Sequence, residues 1–201
     1  RCGYLHDLRG LKLSETSYEK MWRLEHSLKR NGDLYPTHGL GPIAQCMNIN
    51  RGNQFDYLVS MSSNARGLEL FAKEKYGQDH KFATQKYALG DVVSTLIRTV
   101  KGQTILVTHD TDSPRPYSRD ILVQGTKGIV RKYPEEKIHI EGKSEGHGWE
   151  ELAAWFEKWE HPLWTAMQEK SQGAGHGGMD FIEDYRLIQN IRNGEPMDMD
   201  V

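Results

Sequence analysis

Apolar and polar positions along this chain change period several times. Cys2–Leu8 reads as a strand. Gln54–Ser60 reads as another, from the alternation of Phe55, Tyr57 and Val59. Between them Ser14–Arg30 is polar and weakly patterned, with Trp22 as its anchor. Leu40, Ile43, Ala44 and Met47 keep the i, i+3, i+4, i+7 spacing of one helical face, which predicts a helix over Leu40–Asn48. Asn64 can cap a further helix whose face is Leu68, Phe71, Ala72 and Tyr76, and Gly77 closes it.

The centre turns to period two. Asp91–Val100 places Val93, Thr95, Ile97 and Thr99 on one face, and Gln103–His109 carries Ile105 and Val107. Lys101-Gly102 between them fits a tight hairpin. Ile121–Gln124, Gly128–Lys132 and Lys137–Glu141 are short strand candidates, the first two joined by a turn at Gly125–Gly128. Strands in succession with short turns imply an antiparallel meander rather than βαβ units. The tail returns to helix. Trp149, Leu152, Ala153, Phe156 and Trp159 form an aromatic stripe, Pro162 breaks or restarts the helix, and Gly173–Gly178 leads into Met179–Arg192, stopped by Gly194.

These patterns predict an α+β fold, a mostly antiparallel open sheet with helices on one face. At 201 residues one domain over 1–201 can bury a real core. A net charge of −2 gives no broad electrostatic case for nucleic acid or a membrane surface. No apolar run approaches a bilayer span. Two cysteines, Cys2 and Cys46, lack the spacing of a zinc site or a disulfide framework, and Cys46 reads as a small buried residue. The chain opens at Arg1 on a strand and stops just after a helix, as expected of a domain cut from a longer protein. No GxGxxG opens a βαβ unit and no Walker loop is present, so a Rossmann domain is absent.

Candidate chemistry gathers in a few segments. Asn31–Pro42 packs Tyr35, Thr37 and His38 at the start of a helix, with Gly39 and Gly41 leaving the backbone open. Free N–H groups there suit a polar or anionic ligand; a plain capped turn with a packed His38 is the alternative. Alternation puts Tyr4 and His6 on one strand face. Arg115, Tyr117 and Arg119 stand on a proline-braced loop, suited to sugar hydroxyls or acetamido groups, or else to solvent. His176 among glycines is either a loop residue or a group aimed into a cleft. His109, His139 and His147 read as structural, and no histidine spacing implies a metal site.

Taken together, several blocks resemble the C-terminal domain of glycoside hydrolase family 109, the NAD-dependent α-N-acetylgalactosaminidases of the Gfo/Idh/MocA oxidoreductase superfamily. They are Gly3-Tyr4 with His6–Arg9, Arg23, Asn31–Gly39, Gly41-Pro42, Ala44–Gly52, Ser113–Arg119, Gly125–Gly128 and Gly175–Phe181. The resemblance implies a missing N-terminal Rossmann domain that holds NAD. It implies a redox-assisted elimination: the sugar is oxidised at C3 by NAD, a base takes the C2 proton, the C1 substituent leaves, water adds, and the ketone is reduced again. Carried over by position, Tyr4, Arg23, Tyr35, Pro36, Thr37, His38 and Tyr117 would line the sugar pocket, with His176 as a further contact. Tyr35 would approach the nicotinamide. His38 is the first acid/base candidate, since imidazole titrates near neutrality, and Tyr4 the second. The resemblance further implies a terminal α-N-acetylgalactosamine substrate, pairing of two copies through the sheet, and a parent of a kind that often carries export signals, periplasmic or secreted. Two other readings stay open: a sugar or cyclitol dehydrogenase of the same fold, and a non-catalytic carbohydrate-binding or dimerisation module.

Overall fold

A computed structural model describes residues 1–17 and 20–198. The chain forms two compact units, Arg1–Glu135 and Glu136–Val201. Unit 1 is built on a four-stranded sheet of order β1-β4-β3-β2, from β1 (Cys2–Leu5), β2 (Phe55–Ser62), β3 (Val92–Thr99) and β4 (Thr104–Asp110). β2, β3 and β4 are antiparallel neighbours, as their alternation predicts. β1 departs from the expected meander. It runs parallel to β4, with Tyr4 opposite His109. β5 (Leu122–Gly125) and β6 (Gly128–Arg131) form the expected short hairpin.

Helices α1 (Arg9–Lys12), α2 (Trp22–Lys29), α3 (Thr37–Cys46), α4 (Gly67–Tyr76) and α5 (Lys81–Thr84) complete this unit. α3 covers one face of the sheet: Ile43 packs with Cys2, Ile97, Ile105 and Val107, and Leu40 and Met47 join them. Burial pushes the Cys2 thiol up to about 11, so it stays a neutral filler. A second cluster joins Leu24, Leu68, Ala72, Phe82 and Ala83 from the other helices with Leu13 and Tyr87 just beyond helix ends. The opposite sheet face is bare: Tyr57, Val59, Met61, Leu96 and Leu106 are exposed, and the register aligns Val59 with Leu96 and Leu96 with Leu106.

Several local expectations are corrected. Trp22 does not anchor α2: it is exposed, and Leu24 and Ser27 face inward instead. Cys46, at the end of α3, is exposed rather than buried. The N-terminus of α4 is held by Asp91, whose carboxylate accepts from the N–H groups of Arg66 and Gly67, and not by Asn64. Gly77 does end that helix, at φ 99°.

Unit 2 holds the antiparallel pair β7 (Lys137–Ile140) and β8 (Glu150–Glu151). Helices α6 (Ala153–Trp159), α7 (Pro162–Met167) and α8 (Met179–Asn193) follow. Pro162 restarts the chain as the first residue of α7. Gly194 closes α8 in the left-handed region, as expected. The aromatic stripe does not become a core: Trp149, Phe156 and Trp159 are exposed. Among the described residues, no helix is long and apolar enough to cross a membrane.

Candidate active site

Three of the expected residues meet in ring contact. The Tyr4 and Tyr35 centroids are 4.8 Å apart, Tyr4 and His38 5.1 Å, and Tyr35 and His38 4.7 Å. β1 presents Tyr4, and the first turn of α3 presents His38. These two elements approach so closely that a Cβ on Gly39 would lie 2.5 Å from the backbone nitrogen of Gly3. Only glycine admits that contact, and it seats the imidazole against the Tyr4 ring. Tyr35 is fixed just ahead of the helix, where its N–H donates to Asp33 Oδ1 at 2.9 Å. Pro36 and Thr37 are exposed beside it. No side chain caps the N-terminus of α3.

Arg23 reaches this group from α2. Its guanidinium lies 5.2 Å from the Tyr35 ring centre and 4.3 Å from that of Trp22, so an exposed tryptophan backs the cation. Tyr117 enters from the far side through His6, whose ring is 5.2 Å from Tyr117 and 6.1 Å from Tyr4. The loop that carries Tyr117 is stitched to β1 by main-chain bonds. Gly3 N donates to Arg119 O at 2.7 Å, Leu5 N to Ser118 O at 3.0 Å, and Ser118 N to Leu5 O at 2.8 Å. Arg119 Nε donates to Tyr117 Oη at 2.6 Å, and Arg115 pairs with buried Asp110 at 2.7 Å. Tyr4, Arg23, Tyr35, His38 and Tyr117 therefore fall into one neighbourhood of unit 1. His176 belongs to unit 2, where its Nδ1 lies 2.8 Å from Asp180 Oδ1 at φ 52°.

Sequence reasoning passed over two residues here. His6 shares the Tyr4 face by alternation, and its Nδ1 is buried without a hydrogen-bond partner. The i, i+2 spacing from Tyr4 was the signal. His109 sits beside Tyr4 in the sheet, with ring centroids 6.4 Å apart, and its Nδ1 is also buried and unpartnered. Burial first, then the nearby Lys12 charge, pulls His109 down to about 4, so it is a neutral imidazole at neutral pH. No local pattern announces it, because a register between strands about a hundred residues apart leaves no trace in either segment. Among the described residues, no three histidine, cysteine or acidic side chains cluster as a metal would require.

In fold, the chain is similar to a levoglucosan dehydrogenase solved in complex with NADH, with TM-score 0.56 and 18% identity, over 97% of this chain and 49% of that one. It is also similar to an oxidoreductase domain protein from Kribbella flavida, with TM-score 0.53 and 12% identity, over 98% of this chain and 51% of that one. That likeness is one of fold alone, and it defines the class as an α+β domain of open sheets. Residues 1–201 match the family described as glycosyl hydrolase 109, C-terminal domain, and the chain belongs to that family. It is 44% identical to an α-N-acetylgalactosaminidase of Tannerella forsythia, over 99% of this chain and 46% of the relative. It is 50% identical to a glycosyl hydrolase family 109 protein of Shewanella pealeana, over 98% of this chain and 44% of the relative. The chain thus spans less than half the length of these relatives.

Proposed function

We propose that this chain is the sugar-binding domain of an NAD-dependent glycosidase that cleaves terminal α-N-acetylgalactosaminides by oxidation, elimination, addition and reduction. The observation that carries this reading is the convergence of Tyr4, Tyr35 and His38, with centroids no more than 5.1 Å apart. Ordinary glycoside hydrolysis uses two carboxyl groups across the scissile bond. An imidazole between two phenols suits instead the removal and return of a proton on carbon.

NAD fits this chain as one wall of its site. Tyr35 is a half-buried flat ring with Arg23 over it, suited to stand against a nicotinamide, while the sequence offers no glycine fingerprint for the pyrophosphate. A separate dinucleotide-binding domain would hold the rest. When bound, NAD supplies a reversible hydride acceptor, which makes the carbon beside the new ketone acidic. His38 takes the C2 proton and gives it back. Tyr4 sets the orientation of that imidazole and is the alternative base. Arg23 and Tyr117 bind hydroxyl or acetamido groups, with the Tyr117 phenol held by Arg119. Pro36 and Thr37 edge the pocket. The reading does not require His176.

The test is cleavage of a chromogenic α-N-acetylgalactosaminide by the full-length enzyme with catalytic NAD. His38→Ala should lose at least about 10²-fold in kcat/KM. An inactive wild type that instead yields NADH from free sugars would give the case to a dehydrogenase.

The partner on the bare sheet face is a second copy of this chain. The aligned row of Tyr57, Val59, Met61, Leu96 and Leu106 supports this, since monomers seldom leave such a contiguous patch to water. Met61→Glu, at the most exposed position of the row (78%), should shift the protein to monomer in sedimentation. A wild type that is already monomeric would remove the proposal.

A further inference from the structure

An ion pair lies buried behind this site. Lys12 Nζ is 2.6 Å from Asp112 Oδ1, and both side chains are 2% exposed. The ammonium also donates to Thr111 Oγ1 at 2.8 Å and to Ser27 Oγ at 3.0 Å, so three acceptors meet its three hydrogens. Ser27 Oγ in turn donates to the carbonyl of Arg23 at 2.9 Å. One nitrogen at the end of α1 therefore ties α2 to the residues that follow β4. A narrow cavity of about 10 Å³, enough for at most one water, is lined by Lys12, Arg23, Tyr35, His109 and Thr111 and separates the pair from the ring cluster.

A pair this deep is a poor device for stability alone, because well-packed apolar side chains of similar volume often do as well. Its geometry, however, joins two walls of the site. α2 carries Arg23, the cation over Tyr35. Asp112 opens the loop that carries Arg115 and Tyr117. Hydrogen bonds at both ends leave neither wall free to slide. Small misplacements of binding groups are costly to catalysis, since rate depends steeply on alignment.

We propose that Lys12 is a positioning residue for the reaction assigned above: through Ser27 and Asp112 it sets Arg23 and Tyr117 at a fixed spacing across the sugar. The catalytic part of this inference rests on the proposed function. His109 and the Lys12–Asp112 pair together make a buried floor, with the imidazole neutral beside Lys12.

The test uses the full-length enzyme with the chromogenic N-acetylgalactosaminide. Lys12→Met leaves the Asp112 carboxyl buried without its partner and should melt far lower, which a purely structural role also predicts. The deciding variant is Lys12→Met with Asp112→Leu, which removes both charges. Its melting temperature should return close to wild type, while kcat/KM stays at least about tenfold down, with KM raised more than kcat is lowered. Recovery of both melting temperature and kcat/KM would overturn the proposal. Should the double variant not fold, Ser27→Ala decides: it cuts only the link to α2, and an unchanged KM would overturn the proposal. A crystal structure of the same variant gives a readout without substrate. Arg23 displaced from the Tyr35 ring supports the role, and Arg23 left in place overturns it. An inactive wild type would count against the glycosidase reading and leave that structural readout standing.

Discussion

The two units of this chain spend their apolar residues differently. Arg1–Glu135 gathers them into two packed clusters, one under the sheet and one among the helices. In Glu136–Val201, Met167 is the one buried apolar side chain among the described residues, while Trp149, Phe156, Trp159, Leu187, Ile188 and Ile191 stand exposed. The difference teaches where precision is available. Rings held within about 5 Å of one another need rotamers locked by packing, and only the first unit has that packing. A stripe of aromatics at helical spacing is not by itself a core.

The sharpest way to break the comparison is to separate the units. Residues 136–201 alone should show no cooperative thermal transition by circular dichroism, because so little apolar surface is buried among them. A clean, steep melt would show that the second unit has a core of its own. A smaller contrast comes from one substitution made in both places. Gly39→Ala forces a methyl group into the Gly3 backbone and should cost about 2–4 kcal/mol. Gly148→Ala, whose Cβ would have its nearest neighbour at 3.8 Å, should stay within about 0.5 kcal/mol. Equal costs from urea melts would mean that the β1–α3 contact is looser than described.

The mildest probe is pH. His109 titrates near 4 when folded and near 6.5 when unfolded, so the folded state binds fewer protons between those values. Stability should therefore fall as pH drops from about 6.5 to about 4, by on the order of 3 kcal/mol in total. His109→Asn should abolish that part of the slope. Parallel curves for the two proteins would show that His109 is not held neutral by its surroundings.

Much of the fold was legible because period two survives in the sequence wherever one face of a strand is buried. β3 is the clear case, with Val93, Thr95, Ile97 and Thr99 all inward. α2 was not legible: five of its eight residues, WRLEHSLK, are polar or charged, which leaves too few apolar positions to mark a stripe. The apolar spacing of α3 starts three residues after the helix does, because Gly39, Gly41 and Pro42 are poor helix formers and hide the first turn. The site was legible in part. Tyr35 and His38 lie three residues apart and Tyr4 alternates with His6, so local spacing hinted at them. The parallel pairing of β1 with β4, the burial of Lys12 and the stacking of Trp22 on Arg23 depend on segments distant in sequence or on side-chain geometry that no period encodes.

The main-chain stitching of the Tyr117 loop to β1 has an evolutionary corollary. Amide bonds are the same whatever the side chain. Positions 115, 117 and 119 can thus be exchanged while the loop keeps its course, apart from the support that Arg115 draws from Asp110. A family built this way can change its ligand by rewriting a few letters on an unchanging line. Libraries aimed at altered specificity belong on those letters, and the glycine contact behind them is best left untouched.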